Sequence, residues 1–222
     1  QRNDERALEQ FTLADAARPE RPAQSFPYPR PGKENVDVRL FIIGVDGEGQ
    51  QEIGWDREDL PYLAKVVWQG DGPLTFLAQA RDQRRQVFFR VDPDTGEARP
   101  LFEERDPAWL NIHDSTPVFL DGGRSFLWAT EEGGEWRLER KVLAEDGRSV
   151  VRRDLVVEGD AGFQTLAHVD ETRGQVWFLG GADSTRQTLW RAPLPDRPGP
   201  GAAPERVSPS GASWVDATFA GR

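Results

Sequence analysis

The sequence predicts an all-β fold, an incomplete β-propeller of about three four-stranded antiparallel blades plus parts of flanking blades. Two observations predict it: a turn pattern that returns every 50 residues, and four short strands within each period. The returning pattern stands at residues 67–77, 118–128 and 168–179, each an apolar strand end, a polar turn holding glycine, and a second run rich in aromatic and β-branched residues. A fourth copy begins at residues 217–222. Trp68, Phe119, Val169 and Phe219 are separated by steps of 51, 50 and 50 residues. A β-sandwich also strings short strands together, but it does not repeat its turns at a fixed step.

Taken in chain order, residues 1–35 read as an extended or irregular lead-in. Arg6 to Phe11 has weak helical spacing, and the Pro-rich stretch from Pro19 to Gly32 cannot sit inside a sheet ladder. The partial propeller is expected over 36–222. Residues 36–45 and 51–55 are two strands around Asp46-Gly47-Glu48-Gly49, the outer half of an earlier blade. Full blades follow at about 60–108, 109–159 and 160–209, with half blades at both ends. In the first, residues 86–91 and 97–102 flank Asp92-Pro93-Asp94-Thr95-Gly96, where Pro presets φ and Gly supplies a positive φ. In the second, 136–142 and 149–157 flank Glu145-Asp146-Gly147-Arg148. In the third, 188–192 and 205–208 flank a Pro/Gly-rich loop at 193–204.

Composition narrows function. The chain has 222 residues, 28 basic against 38 acidic, and a formal net charge of −10, which makes nucleic acid a poor partner. With no cysteine there is no disulfide or thiolate metal site, and the redox compartment is left open. No stretch approaches the roughly 18 apolar residues of a membrane helix, and none reads as a signal peptide. A start at Gln1 rather than Met suggests a piece of something longer. Asp92-x-Asp94-x-Gly96 has a passing likeness to a calcium loop, but Gly96 and Glu97 stand at the fifth and sixth positions, where an oxygen ligand and a glycine are needed. No metal or other cofactor is expected. His168 reads as a packed histidine, Arg81, Arg84 and Arg85 as a solvated turn, and the eight Trp and twelve Phe residues as inter-blade packing.

The run from Pro27 to Leu40, containing Tyr28-Pro29-x-x-Gly32-x-x-Asn35-x-x-Val38, resembles a segment of dipeptidyl peptidase IV-like serine peptidases in the prolyl oligopeptidase family. Arg2-Asn3-Asp4-Glu5 and Glu9-Gln10-Phe11 look like the stretch before it. Tyr62 to Trp68, Val91 to Gly96 and Asp106 to Asp114 look like later segments of that family in the right order. The resemblance implies the middle-to-late part of an N-terminal propeller that restricts access to an α/β-hydrolase domain, and it favours a periplasmic or secreted parent over a cytoplasmic one. It also implies that the paired glutamates binding a peptide's amino terminus lie before Gln1. Glu103-Glu104 and Glu131-Glu132 are then look-alikes, read as solvated turn carboxylates.

No Gly-x-Ser-x-Gly elbow occurs, since Gly211-Ala212-Ser213-Trp214-Val215 lacks the second glycine, and the chain alone is expected to be noncatalytic. Asn111, His113 and Asp114 are the candidate substrate-binding residues. They lie at the start of a blade, where side chains project toward the central channel, and offer an amide, an imidazole and a carboxylate to peptide backbone. The competing reading is that they satisfy backbone donors between blades. Two functions remain: the propeller part of a serine exopeptidase, gating access and binding short peptides, or a propeller module for protein or sugar binding unrelated to peptidases. Uncovered blade faces make a homo-oligomer the expected assembly.

Overall fold

The computed structural model describes residues 1–70, 72–183, 185–195, 203–209, 211, 213 and 216–219. The Pro/Gly-rich loop at 193–204 and the segment at 211–215 therefore lie largely outside the described residues. The fold is all-β, an incomplete propeller with no closed sheet among the described residues. The first sheet joins β1 (Arg2–Asp4), β4 (Asp37–Ile42) and β5 (Gln51–Ile53) in the order β1-β4-β5. Between β1 and β4 the chain leaves that sheet and forms a separate hairpin from β2 (Gln10–Leu13) and β3 (Gln24–Pro27).

Three four-stranded antiparallel meanders follow. The first full blade holds β6 (Tyr62–Val67), β7 (Thr75–Gln79), β8 (Arg85–Val91) and β9 (Ala98–Arg105). The second holds β10 (Val118–Leu120), β11 (Ser125–Thr130), β12 (Arg137–Leu143) and β13 (Val150–Val157). The third holds β14 (Phe163–Asp170), β15 (Gln175–Gly180), β16 (Thr188–Pro193) and β17 (Glu205–Arg206).

Residues 1–35 differ from the expected lead-in. Arg6 to Phe11 forms a turn running into β2 rather than a helical turn, and Arg2, Asn3 and Asp4 pair with Arg39, Val38 and Asp37 to add an edge strand to the first sheet. The physical reason is that β4 presents a free ladder edge, and backbone pairing to it requires no apolar side chain. Sequence patterning sees side chains only.

The middle strands carry unbroken apolar runs because both of their faces are covered. Successive side chains of a strand point to opposite faces, so Phe76 and Ala78 pack with Leu40 and Ile53 of the first sheet, while Leu77 between them packs toward the second blade. In β11, Phe126 and Trp128 face the first full blade while Leu127 and Ala129 face the third. The core is thus three slabs, one between each pair of neighbouring sheets. Aromatic rings fill the middle slab: Phe88 lies 5.5 Å from Phe126 and 5.2 Å from Trp128. Lys141 is fully buried there, its Nζ 2.8 Å from Glu139 and 4.9 Å from the centre of the Phe102 ring. Neutralising one charge with the other, and capping it with a ring face, is what a buried ammonium needs.

Hydrogen bonds between neighbouring blades span about one period. The Asp121 N–H donates to Glu171, the Leu166 N–H to Ser115 Oγ, and Lys65 Nζ to the Thr116 carbonyl. The turn after β8 stays local: Asp92 accepts the N–H groups of Asp94 and Thr95, and Gly96 takes φ +68°.

Candidate functional site

In an antiparallel meander the loop leaving each outer strand and the turn joining the two middle strands emerge on the same face. The loop from β9 to β10 therefore lies beside the turn from β11 to β12, and the Asn111 amide closes the gap by donating to Glu131 Oε2 at 2.6 Å. The loop is fixed from below by Lys65 on β6, whose Nζ donates to the carbonyls of His113, Asp114 and Thr116 at 2.9, 2.8 and 2.7 Å. Three carbonyls around one ammonium hold the backbone of the candidate residues in one conformation. Gln79 adds a fourth tie, donating to the Leu110 carbonyl.

The three candidates do not share one environment. Asn111 and Asp114 are exposed. His113 is half-buried, its ring 4.7 Å from Trp136 in an edge contact and 5.3 Å from Phe163. Its Nε2 meets the Gln164 carbonyl at 2.9 Å, so Nε2 carries the proton and Nδ1 accepts from Ser115 Oγ and N–H at 3.1 and 3.3 Å. Burial is the main cause holding the imidazole below its ordinary pKa, with the Lys65 charge acting the same way and the Gln164 carbonyl opposing. The neutral ring joins the second blade to the third.

Next to this loop, between the first and second full blades, opens a cleft of about 190 Å³. Both glutamate pairs reach it: Glu131 and Glu132 stand in the β11–β12 turn, with Glu132 exposed, as the sequence suggests, and the other pair does not. Glu103 and Glu104 lie on β9 rather than in a turn. Glu104 accepts from Gln86 Nε2 at 2.7 Å and from Trp128 Nε1 at 3.0 Å, because its strand position faces the slab that holds Trp128. Glu103 pairs with Arg85 and Arg105, and Glu132 with Arg153. The arginine cluster is also tied down: Arg81 donates to the carbonyls of Arg30 and Lys33, and Arg85 pairs with Asp59. Apart from Arg105 beside Glu103, these partners are backbone atoms or residues far along the chain, which local spacing does not signal. Among the described residues no group of three His, Cys, Asp or Glu side chains is arranged to hold a metal. His168 stacks on Phe219 at 4.4 Å and lies 5.4 Å from Trp177.

Comparison with known proteins gives one family. The model of the family described as the dipeptidyl peptidase IV (DPP IV) N-terminal region matches residues 1–222. Inactive dipeptidyl peptidase 10 of Mus musculus is 23% identical over 168 residues, covering 71% of this chain and 21% of that protein. Dipeptidyl peptidase 8 of Homo sapiens is 23% identical over 241 residues, covering 82% of this chain and 27% of that protein. The chain thus spans about a quarter of the length of these relatives. Among solved structures, a Bacteroides ovatus protein assigned as a dipeptidyl aminopeptidase IV superposes with TM-score 0.75 at 18% identity, over 87% of this chain and 30% of that one. Porphyromonas gingivalis dipeptidyl peptidase 4 superposes with TM-score 0.72 at 18% identity, over 93% and 28%. At that identity the two structures speak to the fold.

Proposed function

This chain belongs to the dipeptidyl peptidase IV N-terminal-region family, and from that premise we propose that it is the noncatalytic propeller part of a serine dipeptidyl aminopeptidase. In this reading it gates access to, and helps bind short peptides for, an α/β-hydrolase domain joined in cis outside these residues. The division into a segment at 1–35 and a partial propeller at 36–222 belongs to the same reading. A module unrelated to peptidases does not fit the family match.

The observation that carries the reading is the loop at 111–114. Lys65 fixes its backbone while Asn111 and Asp114 stay exposed. A preformed, rigid rim with polar side chains at the surface is what orients a peptide at little entropic cost. Asn111 and Asp114 contact substrate through hydrogen bonds, and His113 contributes by holding the rim in place. Self-association is the second partner reading, supported by the β2–β3 hairpin, where Leu13, Phe26 and Tyr28 are exposed on a sheet that has no third strand among the described residues.

The test uses the full-length gene product. Asn111→Ala and Asp114→Ala are each expected to lower kcat/KM on glycyl-prolyl p-nitroanilide by about five- to tenfold, the value of one or two lost hydrogen bonds, with Tm unchanged. The 222-residue chain alone turns over nothing. Unchanged kcat/KM in both variants removes these residues from the substrate path. A second reading, a parent without peptidase activity, draws on the similarity to inactive dipeptidyl peptidase 10. A Gly-x-Ser-x-Gly elbow in the full-length gene decides between the two.

A further inference from the structure

The cleft between the first and second full blades holds an excess of negative charge that its own cations do not neutralise. Of the carboxylates lining it, Glu103 and Glu132 are paired with arginines. Glu104, Asp106 and Glu131 have no cationic partner among the described residues, only neutral donors: Gln86 and Trp128 on Glu104, Asn111 on Glu131, and the Ala108 and Trp109 N–H groups on Asp106. Neutral donors orient a carboxylate without cancelling its charge.

A second, independent observation comes from the wall of the cleft. Gln86 lines it, is 3% exposed, and its Oε1 has no hydrogen-bond partner among the described residues. The amide cannot be turned over to cure this, because Nε2 must face the Glu104 carboxylate to donate. A buried acceptor without a donor costs about 1–3 kcal/mol, which an N–H group entering the cleft would offset. Trp109, 60% exposed, gives the same cleft an aromatic surface. Oriented carboxylates, an unpaired amide oxygen and an indole are all acceptors of positive charge or of N–H groups.

We propose that this cleft is a binding site for an organic cation, a guanidinium or alkylammonium group, seated against Trp109 with its N–H groups donated to Glu104, Glu131 and Gln86 Oε1. The size fits: 190 Å³ is below the roughly 300–1,000 Å³ of sites for drug-sized ligands and suits the end of one side chain. The site goes beyond the peptidase reading and does not depend on it. The cation can arrive as a basic side chain of a peptide or as a free polyamine, and the chemistry is the same.

Calorimetric titration of the 222-residue chain tests this with N-acetyl-arginine amide, N-acetyl-lysine amide, spermidine and the uncharged N-acetyl-citrulline amide. Saturable binding of the charged probes is expected at about millimolar Kd, at least tenfold tighter than citrulline. Glu104→Gln and Glu131→Gln each weaken it by about five- to tenfold. Glu97→Gln, paired with Arg99 on the other face, leaves it unchanged, which separates this site from diffuse attraction to a negatively charged protein. Tighter binding of the amino-acid amides points to a peptide source, and tighter binding of spermidine to a free polyamine. Citrulline binding as well as arginine, the two Gln variants binding like wild type, or no binding up to about 10 mM overturns the proposal. In that event Gln86 Oε1 is served by a water in the small void of about 10 Å³ that it also lines.

Discussion

His113 shows how a residue chosen for its chemistry can be held for its shape. Its ring is locked between Trp136, Phe163, Ser115 and the Gln164 carbonyl. Because burial lowers its pKa in the folded state, the unfolded chain binds a proton first as pH falls. Stability contributed by the neutral ring is therefore fully present above the unfolded value of about 6.5 and is lost progressively as pH drops toward the lower folded value. The urea midpoint is expected to fall between pH 7.5 and 5.5, and His113→Gln to flatten that slope; an equal slope in both proteins contradicts it. Asn111, His113 and Asp114 were legible as polar residues at a blade start. The carbonyl that fixes His113 was not, since a backbone oxygen leaves no trace in the choice of side chain at Gln164. The cleft was equally hidden, because Gln86, Glu104 and Glu131 meet from positions far apart in the chain.

At the scale of elements, the legible ones were those whose side chains carry the load. Phe126, fully buried, touches Phe88, Phe102, Phe119 and Trp128, and its position in an apolar run marks β11 from sequence alone. Phe126→Ala is expected to cost about 3–5 kcal/mol by opening a cavity in the middle slab, whereas Val151→Ala, at an exposed site on β13, stays within about 0.5 kcal/mol. Chemical denaturation measures both, and similar costs at the two sites contradict the slab assignment. β1 escaped notice for the opposite reason: Arg2, Asn3 and Asp4 bring no apolar side chain and join the sheet through backbone bonds. The β2–β3 hairpin was masked by the prolines around it, which forbid an inner ladder but not an isolated two-stranded one.

For the whole molecule, charge and apolar surface pull in opposite directions. The net charge of −10 keeps copies apart only within a Debye length of about 8–10 Å at ordinary salt, while Leu13, Phe26 and Tyr28 project on one hairpin. Light scattering over a concentration series is expected to show a mass above 25.0 kDa that returns toward it in a Leu13→Ser, Phe26→Ser, Tyr28→Ser variant. A constant 25.0 kDa in wild type up to high micromolar concentration contradicts self-association. The one-period reach of the blade-to-blade hydrogen bonds has a mechanical meaning as well. Lys65 with Thr116 and Ser115 with Leu166 are clasps at successive blade boundaries that each close a loop of nearly the same length. Pulled from its two ends, such a chain is a row of equal links in series, each paying out roughly 170 Å of slack for 50 residues when its clasp lets go. The same tension runs through every link, so the weakest clasp gives way first, wherever along the chain it lies.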